Sequence, residues 1–152
     1  MTASSIMDPN PTVLHPESKI STAIGYIMEN RYRNLPVVDN EGRFLGVFGV
    51  HCLLRLALPK ALIMEKGLDS AHFVSDTLSD IHRRLNQYVD KPISSCMSDD
   101  ILPVSPDTPL VETLLILYRT RVSLPVVEED SGKLVGVISY WDAGQKILAA
   151  EI

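Results

Sequence analysis

One short run in this sequence of 152 residues has residue types and spacing that suggest chemistry: Gly136-Val137-Ile138-Ser139-Tyr140-Trp141-Asp142. An apolar, strand-like stretch passes through a serine into what reads as a helix, with a carboxylate three residues further on. An ionised carboxylate is acceptor-only, so Asp142 is able to take bonds from two neighbouring hydroxyl groups. Ser139 stands where strand becomes helix, beside backbone N–H groups that attract anions, and Gly136 permits close backbone approach. The same S-x-x-D spacing ahead of an apolar helix is also an ordinary capping box. The two readings are compatible, because a carboxylate that caps in the empty state can turn to a ligand when one arrives.

Little else in the chain suggests chemistry. His15, His51, His72 and His82 show no metal-ligand spacing, and there is no phosphate loop, nucleophile elbow or paired nucleophile and base. The reading is therefore of a chain that is not an enzyme, binds no metal and requires no cofactor. Cys52 and Cys96 stand singly, which suits reduced, packed thiols better than a zinc site or a disulfide. A net charge of −5 argues against nucleic acid as a partner. The longest apolar stretches, Leu53 to Leu58 and Leu110 to Tyr118, are too short to span a bilayer. Residues Met1 to Ser5 lack the features of a secretory signal, so a soluble, cytoplasmic protein is expected.

The elements that position the motif emerge from an internal repeat. Ser4, Ser5, Met7 and Pro16 return 90 residues later as Ser94, Ser95, Met97 and Pro106. LPVVD at Leu35 to Asp39 returns 89 residues on as LPVVE at Leu124 to Glu128, and GRFLGVF at Gly42 to Phe48 returns 90 on as GKLVGVI at Gly132 to Ile138. Periodicity assigns each copy the same elements. In the first, Thr12 to Leu14 is a short strand. Ile20, Ala23, Ile24, Ile27 and Met28 form one stripe of a helix ending near Asn30. Leu35 to Val38 and Phe44 to Val50 make a hairpin, and a helix from His51 ends at Pro59. The second copy repeats this order with a strand at Leu102 to Val104, a helix through Leu110, Leu114, Leu117 and Tyr118, strands at Leu124 to Val127 and Leu134 to Ser139, and a closing helix to about Ala150.

This gives an α/β (α+β) protein of two β-α-β-β-α units, each with a three-stranded sheet and two helices on one face. A single unit would leave its apolar sheet wet, so the copies are expected to cover each other about a pseudo-twofold axis. The division is 3–57 for the first copy, 58–91 for a helical insertion and 92–150 for the second copy. Within the insertion, Val74, Leu78, Ile81, Leu85 and Tyr88 form the seam of an amphipathic helix, with Thr77 and Asp80 as a capping pair. That helix reads as packed on the domain's own core, with a dimer seam or a lid as alternatives. Met64-Glu65-Lys66-Gly67 reads as a helix end with glycine at its C-cap.

The order of elements, the LPVV segments, the hairpins and the terminal GVISYWD together resemble a CBS-domain pair, or Bateman module, over nearly the whole chain except the insertion. The resemblance implies clefts that bind adenosine nucleotides, a module that regulates an enzyme, channel or transporter, and pairing into a disc-shaped homodimer. Gly136 to Asp142 resembles the family's G-h-h-[ST]-x-x-D ribose and phosphate motif, which implies ligand contacts from Gly136, Ser139 and Asp142. By the same resemblance adenine sits against Ile101, Leu102, Pro103 and Val104 and the backbone near Leu124 and Pro125. Arg121 or Arg119 supplies a cation for phosphate, and Arg31 and Arg33 hold the equivalent place in the first copy. The first copy departs from the motif, with Gly49 in place of the hydroxyl and Cys52 in place of the carboxylate, so one ribose site per chain is implied. The expected function is a sensor that binds AMP, ADP or ATP in the cleft between repeats and acts as a homodimer. The alternative is a ligand-free dimerisation or interaction scaffold.

Overall fold

The computed structural model describes residues 1–63 and 75–150. His72, Val74 of the expected seam, and the helix end at Met64 to Gly67 fall outside the described residues. A 3-10 turn at Ala3–Ser5 precedes α1 (Ile20–Asn30), β1 (Asn34–Val38), β2 (Phe44–Gly49) and α2 (Val50–Ala57). Next come α3 (Lys60–Ile63) and α4 (Leu78–Asn86). A second 3-10 turn at Ile93–Ser95 then leads to α5 (Leu110–Thr120), β3 (Leu124–Val127), β4 (Leu134–Ile138) and α6 (Tyr140–Ala149). The class is α+β, as the repeat implies.

Helix faces follow the apolar spacing except at their margins, where Met28 of α1 is 49% exposed. On α1, Ile20, Ala23 and Ile27 are buried. On α5 the buried line is Thr113 and Leu117, and Thr113 satisfies its hydroxyl by donating to Pro109 O at 2.9 Å. Tyr118, expected on the apolar stripe, is 74% exposed, because one residue beyond Leu117 lies about 100° further round the helix.

The sheets are smaller than expected. β1 pairs with β2, and β3 with β4, as two-stranded sheets. The β3–β4 pair is antiparallel, with Leu124 opposite Ile138 and Val126 opposite Gly136. The anticipated third strand, Leu102 to Val104, contributes only one parallel bridge, Val104 to Val126. Val104 N donates to Pro125 O, and Val127 N donates to Val104 O, both at 2.9 Å. Prolines stop it from growing. One step towards the N-terminus, the ladder needs an N–H from Pro125; one step the other way, it needs one from Pro106. Neither residue has the donor. In the first copy Leu14 is the one bridging residue of the expected strand, with Pro16 and Pro36 in the matching places.

By contact density the chain divides into two compact units that interleave in sequence. One comprises Met1–Val13, Pro36–Gly46 and Asp99–Ile152, and the other Leu14–Leu35 and Val47–Ser98. In the first unit, Ala3, Ile6, Val104, Leu117, Leu124, Val126, Ile138 and Ala143 form the core. Its amino-terminal segment is bound by backbone: Ala3 N donates to Thr108 O at 2.8 Å and Ser4 N to Pro106 O at 3.1 Å. Asp8 then bridges Val137 on the free edge of β4, through Asp8 N to Val137 O at 2.8 Å and Val137 N to Asp8 O at 3.1 Å. The second unit repeats the device ninety residues on. Ser94 N donates to Pro16 O at 3.0 Å, and Ser98 and Val47 exchange two bonds of 2.8 Å.

Two glycines are required for lack of space, Gly136 against the segment that closes the β4 edge and Gly49 against the start of β1 within its own hairpin. A Cβ on Gly136 would lie 2.5 Å from Met7 Sδ and 2.8 Å from Asp8 O. A Cβ on Gly49 would lie 2.3 Å from Arg33 O and 2.5 Å from Asn34 Cβ.

In the second unit α4 packs on α2. Its start is the capping box the spacing predicts: Asp80 N donates to Thr77 Oγ1 at 3.2 Å and Thr77 N to Asp80 Oδ2 at 2.9 Å. Ile81, Leu85 and Tyr88 are half-buried. Leu78, expected on the same seam, is 86% exposed; it is the first residue of the helix, and the packed face begins a turn later.

Two outcomes follow. Gly136→Ala is expected to lower stability by about 1–3 kcal/mol, since a backbone oxygen must move. Gly25→Ala, in α1 with open space around the added methyl, is expected to raise it by roughly 0.5–1 kcal/mol. Urea denaturation of both variants checks the pair. The Asp80 carboxyl is held below its ordinary value of 3.8 by hydrogen bonds from the Thr77 backbone and hydroxyl. A lowered folded-state pKa contributes stability above the unfolded value that is lost as pH falls through the folded one. Between pH 7 and pH 3 the wild type should therefore lose more of its urea midpoint than Asp80→Asn does.

Candidate functional site

The candidate site belongs to the first unit, where β4 runs into α6. Ile138 is fully buried opposite Leu124, which fixes where the strand stops. The next residue, Ser139, is extended (φ −94°, ψ 168°) and is the N-cap of α6. The capping box is complete. Asp142 N donates to Ser139 Oγ at 3.1 Å, while Ser139 N and Ser139 Oγ both donate to Asp142 Oδ2 at 2.8 Å. The carboxylate thus serves its own helix through one oxygen, and a carboxylate has acceptor capacity for about four bonds. Helix geometry also leaves the N–H groups of Tyr140 and Trp141 without intrahelical acceptors. Hydrogen-bond acceptors for a diol and N–H donors for an anion therefore lie within one turn.

Tyr140 ties this turn to the end of α5. Its hydroxyl donates to Leu117 O at 2.9 Å, the carbonyl that also accepts Arg121 N at 3.0 Å. Arg121 is a left-handed C-cap with φ 60°, a place more often held by glycine or asparagine. Arg31 occupies the same place on α1 with φ 56°. Both arginine side chains are exposed, as are those of Arg33 and Arg119. Tertiary structure thus links the Arg121 backbone to Tyr140 through a shared carbonyl, a connection the sequence reading did not include.

The other expected residues divide into two groups. Leu124, Pro125 and Val104 are buried, with Leu124 and Val104 in the core cluster, so only backbone is available to a ligand there. Pro125 O is already occupied by Val104 N. Ile101 is half-buried, Leu102 is 81% exposed and Pro103 is exposed. These three lead into the bridge at Val104 without a hydrogen bond to Ser139 or Asp142 among the described residues. Gly136 does allow close backbone approach, and the segment that uses it is Met7–Asp8 of the chain itself. The reading missed Met7, Asp8 and Tyr140. The repeated Ser-Ser-x-Met marked the amino-terminal segment but carried no sign of which strand it would pair with.

The corresponding turn of the first copy is built differently. Gly49 is the N-cap of α2 without a side-chain cap, pressed against Arg33 and Asn34. Cys52, where Asp142 stands in the second copy, is buried, with its Sγ 3.7 Å from Ser98 Oγ. Both cysteines are free and buried, as expected of packed thiols. Among the described residues no helix is long and apolar enough to cross a membrane.

Comparison with known proteins places this geometry. The CBS domain family model matches residues 3–58 and 93–147. The A-adding tRNA nucleotidyltransferase of Aquifex aeolicus (strain VF5) is 27% identical over 143 residues, which is 93% of this chain but 14% of that protein. The chloroplastic CBS domain-containing protein CBSX1 of Arabidopsis thaliana is 28% identical over 130 residues, 84% of this chain and 55% of that one. The chain therefore spans about half of the one relative and far less of the other. Among solved structures, CBSX2 in complex with AMP superposes with a TM-score of 0.69 at 23% identity, covering 97% of this chain and 96% of that one. The CBS domain pair of protein MJ0100, in complex with 5′-methylthioadenosine and S-adenosyl-L-methionine, gives 0.64 at 17% identity, covering 99% and 98%. With both copies matched along most of its length, this chain is a CBS pair and belongs to the CBS domain family.

Proposed function

We propose that the chain is a regulatory module that binds one adenosine nucleotide per copy of the chain, at the start of α6. The observation that carries this is the Ser139–Asp142 turn, where acceptor capacity for a ribose diol and first-turn N–H groups for a phosphate coincide. Arg121, linked to that turn through Leu117 O and Tyr140, supplies positive charge for the phosphate. Adenine rests against Ile101 to Val104, with Leu102 offering the most apolar surface. Gly49 and Cys52 leave the first copy without a diol acceptor, which favours a single ribose site. The solved relatives support the ligand class, because AMP, 5′-methylthioadenosine and S-adenosyl-L-methionine share the adenosine group. Nucleotide occupancy would then be passed to an enzyme or transporter. The nucleotidyltransferase relative, far longer than this chain, is consistent with such modules working beside larger activities.

Pairing into a homodimer is part of the same proposal. Val111, Leu115 and Tyr118 form an exposed apolar line along α5, and Trp141 and Leu148 lie two turns apart on α6. Exposed apolar lines of this kind mark interaction surfaces.

Thermal unfolding with AMP, ADP, ATP, 5′-methylthioadenosine and S-adenosyl-L-methionine tests the ligand. At a concentration 100-fold above Kd, the active compound is expected to add about 2.7 kcal/mol, or roughly 5–10 °C in Tm. Asp142→Asn keeps an oxygen for the Ser139 cap but loses the charge, so it should retain its Tm without ligand and lose the shift. Absence of a shift with every compound at millimolar level would leave the interaction scaffold as the better account. Sedimentation velocity tests pairing: the wild type should run as a dimer and Tyr118→Glu/Trp141→Glu as a monomer. A wild type that is monomeric at high micromolar concentration would remove the dimer.

A further inference from the structure

The second unit contains a recess of about 550 Å³, walled by α2, α3 and α4 and floored by the segment after the second 3-10 turn. Its volume falls within the range of small-molecule sites, roughly 300–1,000 Å³. Four cations line it: Arg55, Lys60, Arg84 and Lys91. Two are anchored. Arg55 donates to Cys96 O, and Arg84 donates to Ala57 O at 2.7 Å while pairing with Asp76 at 2.8 Å. Lys60 and Lys91 are exposed at the rim, and Lys91 Nζ lies 5.2 Å from the centre of the Tyr88 ring. Apolar surface between them comes from Leu58, Ile63 and Tyr88. Burial pushes the Cys96 thiol in the floor up to about 11, so the floor adds no negative charge. Asp76 offsets Arg84, which leaves three cations among the described residues facing an apolar base.

The repeat provides an internal control. Ninety residues away, Ser5, Ile6, Lys146 and Ala150 take the places of Ser95, Cys96, Leu56 and Lys60 and line a recess of about 580 Å³ in the first unit. The fold thus hollows the same place in both copies. Among the described residues that second recess is lined by one side-chain cation, Lys146. The positive charge of the first-copy recess is therefore a property of its residues, with Arg84 supplied by α4 and Tyr88 by the turn that follows it.

We infer that this recess is a binding site for a small organic anion: a carboxylate, phosphate or sulfonate carried on an apolar frame. Lys60 and Lys91 hold the anionic head, and Tyr88, Leu58 and Ile63 cover the frame. The site is separate from the start of α6 and does not rest on the nucleotide reading.

The probe is 8-anilinonaphthalene-1-sulfonate, an apolar sulfonate whose fluorescence rises on binding, titrated into the full chain. Saturable binding to one strong site is expected, weakened roughly tenfold or more, a loss of at least one decade in Kd, in Lys60→Glu/Lys91→Glu. Hexyl phosphate should displace the probe. Lys60→Ala/Lys91→Ala, with the wild-type Tm, should show a smaller loss and so separate charge from misfolding. Asp142→Asn and Lys146→Glu should bind the probe as the wild type does. Unchanged affinity in the Lys60→Glu/Lys91→Glu variant, or an equal loss in Lys146→Glu or Asp142→Asn, would overturn the assignment.

Discussion

A two-stranded hairpin has two open edges, and the need to pair their backbone groups governs this molecule. Isolated hairpins are marginal in water, and each sheet here is no more than that. In the first unit the β3 edge is closed by Val104 and the β4 edge by Asp8. In the second, Ser98 closes the outer edge at Val47. Every one of these is a single-residue bridge. Segments with little regular structure of their own therefore hold the sheets together, and they are why the compact units interleave along the chain. Glycine at 136 is the steric counterpart: the segment that closes the edge needs the volume a side chain would fill.

The candidate site follows from that closure. Once β4 is held between β3 and Asp8, its end is set, and Ser139 must leave the sheet at the point where α6 begins. The capping box then orients Asp142, and Tyr140 secures the turn to α5. The two copies share this architecture and differ in chemistry. At Gly49 the chain packs its own backbone where Ser139 offers a hydroxyl, and at Cys52 it buries a thiol where Asp142 offers a carboxylate. One copy has its helix start committed to packing, while the other has polar groups there.

Much of this could be read from residue order. Helix positions followed from Ile20, Ala23 and Ile27 and from Leu110, Leu114 and Leu117, because burial on a helix imposes its period on the sequence. Thr77 with Asp80 and Ser139 with Asp142 were legible as caps, because capping acts over three residues. Met28, Tyr118 and Leu78 were misplaced because periodicity identifies a stripe without its limits. The third strand was overestimated at Leu102 to Val104, although Pro106 and Pro125 already stood in the sequence. Their effect appears only when the register with Val126 is known.

By itself the sequence determined the local and repeated features: two copies of one unit, their helices and hairpins, the caps, and the residues that distinguish the second motif from the first. These depend on contacts a few residues apart, or on comparison of the chain with itself. Only the tertiary structure decided that Met7 and Asp8 occupy the space above Gly136, that Tyr140 reaches Leu117, and that Arg55, Lys60, Arg84 and Lys91 gather around one recess. Such neighbours are separated by 23 residues between Leu117 and Tyr140 and by well over a hundred between Asp8 and Val137. No local preference encodes which distant segment will satisfy an open strand edge, because any stretch of backbone offers the same donors and acceptors. Packing in the folded chain makes the choice.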